Sequence, residues 1–326
     1  MIITRTPLRI TLGGGGTDLP SYYEQFGGMV LSAAISRYIY IAINRTFTPG
    51  YFLKYALAEH VDRLEDIEHP IIREALRMYD VESGIELVSV ADIPAGTGLG
   101  SSGTFTVGLL RSIHAFRRTH VTAGNLASDA CRIEVDILGR PVGKQDQYIA
   151  AYGGLTAFEF EPGGGVRVNP ISISQETLHD LEEHLLLFFT GYSRDADRVL
   201  EEQRNRSEKG DAEMISNLHR VKELGLASRK ALEAGDTEEF AAIMDEHWQH
   251  KKQRSTVMSN DNVNRWYDAA MANGGLGGKL VGAGAGGFLL IYAKDQDAVR
   301  AAMVDEGLTE VRFTFDHDGS TLLARD

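Results

Sequence analysis

Apolar residues recur along this chain with two different periods. In "HPIIREALRMY" (69–79) they fall on one face of a 3.6-residue repeat, which predicts an amphipathic helix. "MIITRT" (1–6), "MVLSAAI" (29–35), "YIYIAINRT" (38–46) and "GIELVSV" (84–90) are rich in β-formers and predict strands. "LTAFEF" and "VRVNPI" predict a strand pair about the turn "EPGGG". "LPSYYEQF" predicts a short helix closed by Gly27 and Gly28. "TFTVGLLRSIHAF" (104–116) is apolar all round and predicts a buried helix. "TAGNLASDACRIEVDILG" (122–139) predicts a helix with Thr122 as N-cap and Gly139 as its stop. "RPVGKQDQYIAAYGGL" predicts a loop entering a short helix that Gly153 and Gly154 end.

The pattern changes near residue 180. "HLLLFFT" reads as a buried strand, and charged helical patterns then run from about Asp195 to Asn273. "FLLIYA" predicts a strand, "DQDAVRAAMVDEG" a helix and "LTEVRFTF" a final strand. The expected division is residues 1–175 and 176–326. A length of 326 residues is itself long for one core. No fixed-period repeat is visible.

Composition narrows the function classes. The net charge is −13, and no Lys/Arg block suggests a nucleic-acid face. An acidic chain can still bind anions, because backbone N–H groups do so locally. Cys131 is the single cysteine, so no intramolecular disulfide forms, and a small core residue is its expected role. "MIITRTPLRI" lacks the apolar core of a signal peptide, and no run approaches the ~18 apolar residues of a membrane helix. A cytoplasmic protein without membrane partners is expected.

The chemistry begins at "DIPAGTGLGSSGTFTVG" (92–108), where a glycine loop runs from a strand into a buried helix. Glycines let the backbone approach a ligand, and a helix N-terminus offers free N–H groups and a positive dipole end. No Gly-Lys-Ser/Thr follows, so this is not a Walker A loop. The acidic residue that a dinucleotide fingerprint needs about twenty residues on has no clear counterpart. Alone, the loop also reads as a flexible surface segment.

Two further segments, "TPLRITLGGGGTDLPSYY" and "LVGAGAGGFLLIY", join it. In order and spacing the three segments resemble the signature motifs of the GHMP small-molecule kinases. "PLRITLGGGGTDLPSYYEQFGGMVLSAAI" and "GKQDQYIAAYGGL" are similar to the sugar-kinase branch around D-glycero-D-manno-heptose 7-phosphate kinases, and L-fucose kinases share part of the pattern. The resemblance implies a two-domain α+β fold. Its N-terminal, ATP- and sugar-binding domain would look like ribosomal protein S5 domain 2, and its C-terminal domain would be ferredoxin-like. It implies ATP and Mg²⁺ as cofactors and a small sugar or sugar phosphate as partner. The oligomeric state stays open, a homodimer included.

The resemblance also distributes roles. Pro94, Gly96, Thr97, Gly98, Leu99, Gly100, Ser101, Ser102 and Gly103 would cradle the ATP phosphates. Ser102 or Ser101, with Glu134, would bind Mg²⁺. Asp146 would be the base that accepts the proton of the sugar hydroxyl, with Arg9 neutralising charge on the transferring phosphate. Gly14, Gly15, Gly16, Thr17 and Asp18 would contact the sugar, with Gln145 beside them and Gly284 in the third motif. A phosphate already on the substrate would need cations, for which Arg194 and Lys144 are the candidates. Plainer readings stand beside these: a helix cap for Asp146 and Asp18, a solvated face for Glu134, surface charges for Arg9, Lys144 and Arg194, and a tight turn for residues 282–287. Rival functions are a catalytically silent sugar- or nucleotide-binding regulator of the same fold and an NAD-dependent dehydrogenase.

Overall fold

The structure is a computed structural model that describes residues 1–191, 196–255, 258–282, 284 and 286–325, without the side chains of 196 and 197. In chain order the first half holds β1 (Ile2–Gly14), α1 (Pro20–Phe26), β2 (Gly28–Arg45), β3 (Tyr51–Lys54), β4 (Ala58–Val61), α2 (Pro70–Met78), β5 (Ile85–Ala91), α3 (Ser101–Phe116), α4 (Ala123–Cys131), α5 (Gln145–Tyr152), β6 (Leu155–Phe160) and β7 (Val166–Pro170). The second half holds α6 (Gln175–His184), β8 (Leu185–Gly191), α7 (Ala196–Glu208), α8 (Ala212–Ala234), α9 (Thr237–Lys252), α10 (Asp261–Ala272), β9 (Gly275–Val281), β10 (Gly287–Ala293), α11 (Gln296–Asp305), β11 (Thr309–Glu310) and β12 (Thr321–Arg325).

Among the described residues, eight strands form a first sheet around β2, which pairs with β1 along one edge and with β6 and then β5 along the other. Four strands form a second, antiparallel sheet in the order β11-β8-β10-β9. This is the two-domain, mixed helix-and-sheet architecture expected. The chain returns at its end to the first sheet, where β12 pairs with β1.

The strand expected over 29–35 and the one over 38–46 are one element. The polar pair Ser36-Arg37 that suggests a break marks a bulge: Leu8 pairs with Ile35 and Pro7 with Tyr38. Ser36 instead bonds Thr314 through its backbone N–H. The final strand expected over 308–315 pairs only at Thr309 and Glu310, and Phe315 adds an isolated bridge to Ile35. The β3–β4 hairpin was not anticipated, since its residues 58–61 are exposed or half-buried and carry no apolar alternation. The helix that starts at Thr122, whose side chain accepts from the Asn125 N–H, widens into a π-helical turn over Arg132–Ile137. Such turns shift the facing of later residues and recur at functional sites. Here the turn carries the fully buried Glu134.

Helix α3 is buried on every side, as its composition predicts, and is stitched to β1 by polar contacts. Thr104 Oγ1 donates to the Pro7 carbonyl at 3.1 Å, and the Thr4 and Ser112 hydroxyls meet at 2.6 Å. Cys131 is buried in the same domain. Helix α8 reaches across to β1 through Gly225, where an added Cβ would lie 2.9 Å from both the Gly14 nitrogen and the Met29 sulfur. Among the described residues, no helix is long and apolar enough to cross a membrane.

A side chain at Gly225 has to push α8 off β1. Gly225→Leu is expected to cost about 1–3 kcal/mol, the usual range for overpacking. The check is the midpoint of thermal or denaturant unfolding, and an unchanged midpoint would show that α8 is not seated on β1.

Candidate active site

The loop between β5 and α3 has left-handed glycines at Gly96, Gly98 and Gly100, with φ of 80°, 84° and 78°. This conformation is open to glycine and strained for other residues. The loop therefore turns back on itself and delivers Gly100 as the cap of a 16-residue helix, whose first N–H groups and dipole favour an anion. Pro94 and Gly96 are exposed, whereas Thr97 and Leu99 are buried. The Thr97 hydroxyl donates to the Pro94 carbonyl at 3.0 Å. Ser101 Oγ is buried without a partner. The third motif packs directly on this loop: a Cβ on Gly282 would sit 2.6 Å from the Gly98 oxygen.

Arg9 lies on β1 under the loop and is nearly buried. Its Nε donates to Asp146 Oδ1 at 2.7 Å and its Nη1 to the Gly98 carbonyl at 2.7 Å. Asp146 stands in the first turn of α5, with its side chain committed to Arg9 rather than to capping. Helix α5 sits close enough on α3 that a Cβ at Gly103 would lie 2.7 Å from Asp146 Cβ.

Glu134 is reached from the same two helices. Its carboxylate accepts from Ser102 Oγ, from Thr106 Oγ1 at 3.0 Å and from Gln147 Nε2 at 2.9 Å. Arg140 Nη1 meets both Glu134 Oε2, at 3.1 Å, and Ser102 Oγ, at 2.5 Å. Burial pushes the Glu134 carboxyl above its usual range, against the pull of these donors.

Asp18 takes backbone N–H bonds from Gly16 at 3.0 Å and from Gln145 at 3.2 Å. Burial first, and the Asp146 charge second, push its carboxyl upward. Gly14, Gly15, Gly16, Asp18, Gln145, Asp146 and Arg9 all line one cleft. Gln145 Nε2 is anchored to the Thr11 hydroxyl at 2.5 Å and the Ser32 hydroxyl at 2.7 Å.

Three of the expected substrate contacts fall elsewhere. The Thr17 hydroxyl is closed in a mutual pair with the Met29 backbone, donating to its carbonyl at 2.8 Å and accepting from its N–H at 3.1 Å. Lys144 turns away, with Nζ bonded to the Gly164 carbonyl at 2.9 Å and lying 4.8 Å over the Tyr23 ring. Gly284 lies against Met258, not along the cleft lining. Arg194 is outside the described residues.

The cleft is completed by residues that sequence reasoning missed: Gln203 on α7, His247 and Lys251 on α9, Arg254 just beyond it, and Lys279 on β9. The signal was present in "HWQHKKQR" (247–254), a basic run in an acidic chain. His247, Lys251 and Arg254 are spaced i, i+4, i+7, the period of one helix face. A charged helix face reads as solvated by default, and all three are buried here.

A glycine loop at a helix N-terminus, a carboxylate held by arginine and a polar acceptor cleft together suit transfer of a phosphoryl group. Comparison with known proteins points the same way. Profiles described as "GHMP kinases N terminal domain" and "GHMP kinases C terminal" match residues 67–154 and 228–307. A D-glycero-alpha-D-manno-heptose 7-phosphate kinase of Campylobacter jejuni is 32% identical over 98% of this chain and 97% of its own. An L-fucokinase/L-fucose-1-P guanylyltransferase of Bacteroides fragilis is 26% identical over 94% of this chain and 36% of its own length. The crystal structure of a D-glycero-D-manno-heptose 1-phosphate kinase from Bacteroides thetaiotaomicron superposes with a TM-score of 0.82 at 26% identity, covering all of both chains. With both domain profiles in sequence order and a relative matched from end to end, the chain belongs to the GHMP kinases and is a sugar kinase, an ATP-dependent phosphotransferase.

Proposed function

We propose that this kinase phosphorylates the anomeric hydroxyl of D-glycero-D-manno-heptose 7-phosphate, giving the 1,7-bisphosphate used toward nucleotide-heptose and surface polysaccharide. The observation that carries the assignment of roles is the position of Asp146, held by Arg9 where the glycine loop meets the acceptor cleft. The heptose is suggested by the name of the Campylobacter jejuni relative. Residues 1–175 and 176–326 are proposed as the two domains, working in the cytoplasm, where ATP is supplied.

In this reading residues 94–103 cradle the ATP phosphates through backbone N–H groups. Asp18 and the loop from Gly14 to Gly16 accept and donate hydrogen bonds to the sugar hydroxyls. Asp146 orients the attacking hydroxyl and takes its proton as the new O–P bond forms. The bond from the γ-phosphorus to the bridging oxygen breaks, and ADP leaves. Arg9 holds Asp146 in place and offsets charge on the transferring group.

The residues present fit Mg²⁺. Ser102 and Glu134 place two hard oxygen donors together, and the Arg140 guanidinium already lies between them as a cation. Among the described residues, no group of three or more His, Cys, Asp or Glu forms a metal cage. Mg²⁺ is therefore proposed to rely on Glu134, Ser102 and phosphate oxygens, the usual pattern for this ion. When bound it supplies charge neutralisation on those oxygens. The joint placement of Asp146, Arg9 and Glu134 argues against a catalytically silent regulator.

ADP release with Mg²⁺ and ATP tests the substrate. The panel holds D-glycero-D-manno-heptose 7-phosphate, sedoheptulose 7-phosphate, mannose, L-fucose and galactose. Turnover with the heptose phosphate alone is expected, and turnover with a free sugar alone would replace this acceptor by a fucose- or galactose-like one. Asp146→Asn is expected to lower kcat by roughly 10²–10⁴-fold, the range for a positioned proton acceptor, while ATP binding persists in calorimetry. Wild-type turnover in this variant would remove Asp146 from the mechanism. Gly103→Ala drives a methyl into Asp146. It should cut kcat by about tenfold or more through misplacement alone, with the fold retained by circular dichroism.

A further inference from the structure

We infer that His247, Lys251, Arg254 and Lys279 form a buried anion subsite that receives a phosphate monoester already carried by the acceptor. The inference rests on the sugar-kinase reading of the cleft and adds to it the residues that select a phosphorylated sugar.

All four side chains line the cleft, and each is at most 7% exposed. They come from two elements of the second half, α9 with its exit and β9, and converge on the acceptor loop of the first half. Lys279 Nζ donates to the Leu12 carbonyl at 3.1 Å, and Arg254 Nη1 donates to the Gly15 carbonyl at 3.2 Å. Gln203 Nε2 bonds the next carbonyl, Gly16, at 2.8 Å. Lys251 Nζ donates to the carbonyls of Leu280 at 2.8 Å and Gly282 at 2.5 Å.

These contacts leave buried polar atoms over. Arg254 Nη2 and His247 Nε2 are buried with no hydrogen-bond partner. A buried donor without a partner is costly and calls for an explanation. Basic groups also outnumber carboxylates here. Among the described residues, the carboxylates lining the cleft are Asp18 and Asp146, and Asp146 is already paired with Arg9. Four buried basic groups facing Asp18 are an arrangement that an arriving dianion relieves. A phosphate monoester has the acceptor oxygens to match, and an arginine fork suits it.

The phosphate in question belongs to the acceptor rather than to ATP. Hydrogen bonds run from the cluster to Leu12 and Gly15 of the first half, beside Asp18. The link toward the 94–103 loop is indirect, through Gly282 against Gly98. Two similar heptose kinases, one of Campylobacter jejuni and one of Bacteroides thetaiotaomicron, carry a heptose phosphate in their names, at position 7 and position 1 respectively.

The electrostatics support the geometry. Burial, then the neighbouring cations, hold Lys279 down to about 7 and push Lys251 and His247 well below their ordinary ranges. Arg254 is lowered by burial to about 10, with Asp18 pulling the other way. The free subsite is thus partly discharged, and a dianion that binds it draws protons in. Lys279 is faced by His247, Lys251 and Arg254 from the α9 side, by Arg9 from β1, and by Asp18 across the loop. Phosphate affinity should therefore fall as pH rises above about 7, where binding must put a proton onto Lys279.

The test uses the full chain in two assays, inorganic phosphate binding by calorimetry without ATP, and ADP release with the sugar-phosphate panel. Wild type is expected to bind inorganic phosphate, to be inhibited by it competitively with the phosphorylated acceptor, and to bind it more weakly at pH 9 than at pH 7. Arg254→Met and Lys251→Met should each raise KM for that acceptor by roughly 30-fold or more, as for other truncated buried charge contacts, with KM for ATP unmoved. Arg254→Lys, the gentler change, should recover part of the loss and guards against a variant that fails to fold. Competition of phosphate with ATP, or a rise in KM for ATP alone, would overturn the assignment. So would wild-type turnover that is indifferent to a phosphate on the sugar. If no sugar is turned over, yet phosphate binds and the variants lose it, the subsite stands and the proposed acceptor is what has failed.

Discussion

One buried guanidinium ties the first half of this molecule together. Arg9 bonds Asp146 on α5 and the Gly98 carbonyl in the glycine loop through its side chain, and its backbone N–H bonds the Leu99 carbonyl at 3.1 Å. A strand, a loop and a helix are fixed relative to one another by a single residue. Taking a guanidinium out of water is expensive, and good geometry with several acceptors is what offsets it. Arg9 has that geometry, and its contacts fix the loop against β1 and α5. The loop's glycines alone would leave the chain many conformations.

The same tie explains where sequence reading succeeds. Local features that chemistry demands at a fixed place are visible in one dimension. The glycines at 96, 98 and 100 take up left-handed backbone, and the apolar α3 is buried on every face. Non-local features are not visible. Nothing in "TLLAR" announces that β12 crosses the whole chain to pair with β1. The Ser36-Arg37 pair looks like a break because polarity is read without knowing that a bulge keeps β2 continuous. Thr17 and Lys144 sit in the right motifs, but each bonds a backbone partner 12 and 20 residues away, respectively, that takes its polar group out of the cleft. The basic face of α9 was hidden for the opposite reason: its period is plain, and only tertiary packing decides that it faces inward.

Net charge is a poor guide to such a site. The chain carries −13 overall, yet its cleft gathers Arg9, His247, Lys251, Arg254 and Lys279 around Asp18 and Asp146. The acidic surplus lies largely on exposed helices, where pairs such as Arg220 with Glu246 contribute little to stability. Inside, burial penalises each charged form, and neighbouring like charges add to that penalty. That is why Asp18 is driven up while Lys279 is driven down.

These opposed shifts give the cleft a direction. On the glycine-loop side, Glu134 is a carboxylate that burial penalises, and Arg140 is the cation lying against it. On the acceptor side, basic groups outnumber the carboxylates near them. By charge, the first would suit a cation and the second an anion. Asp146 and Arg9 lie between them, touching both the glycine loop and the cleft. Ligands that carry the missing charges would remove a penalty the folded chain already bears, so part of their binding energy comes from relief of the protein's own imbalance. That relief would fall beside Asp146, the carboxylate proposed to receive the proton.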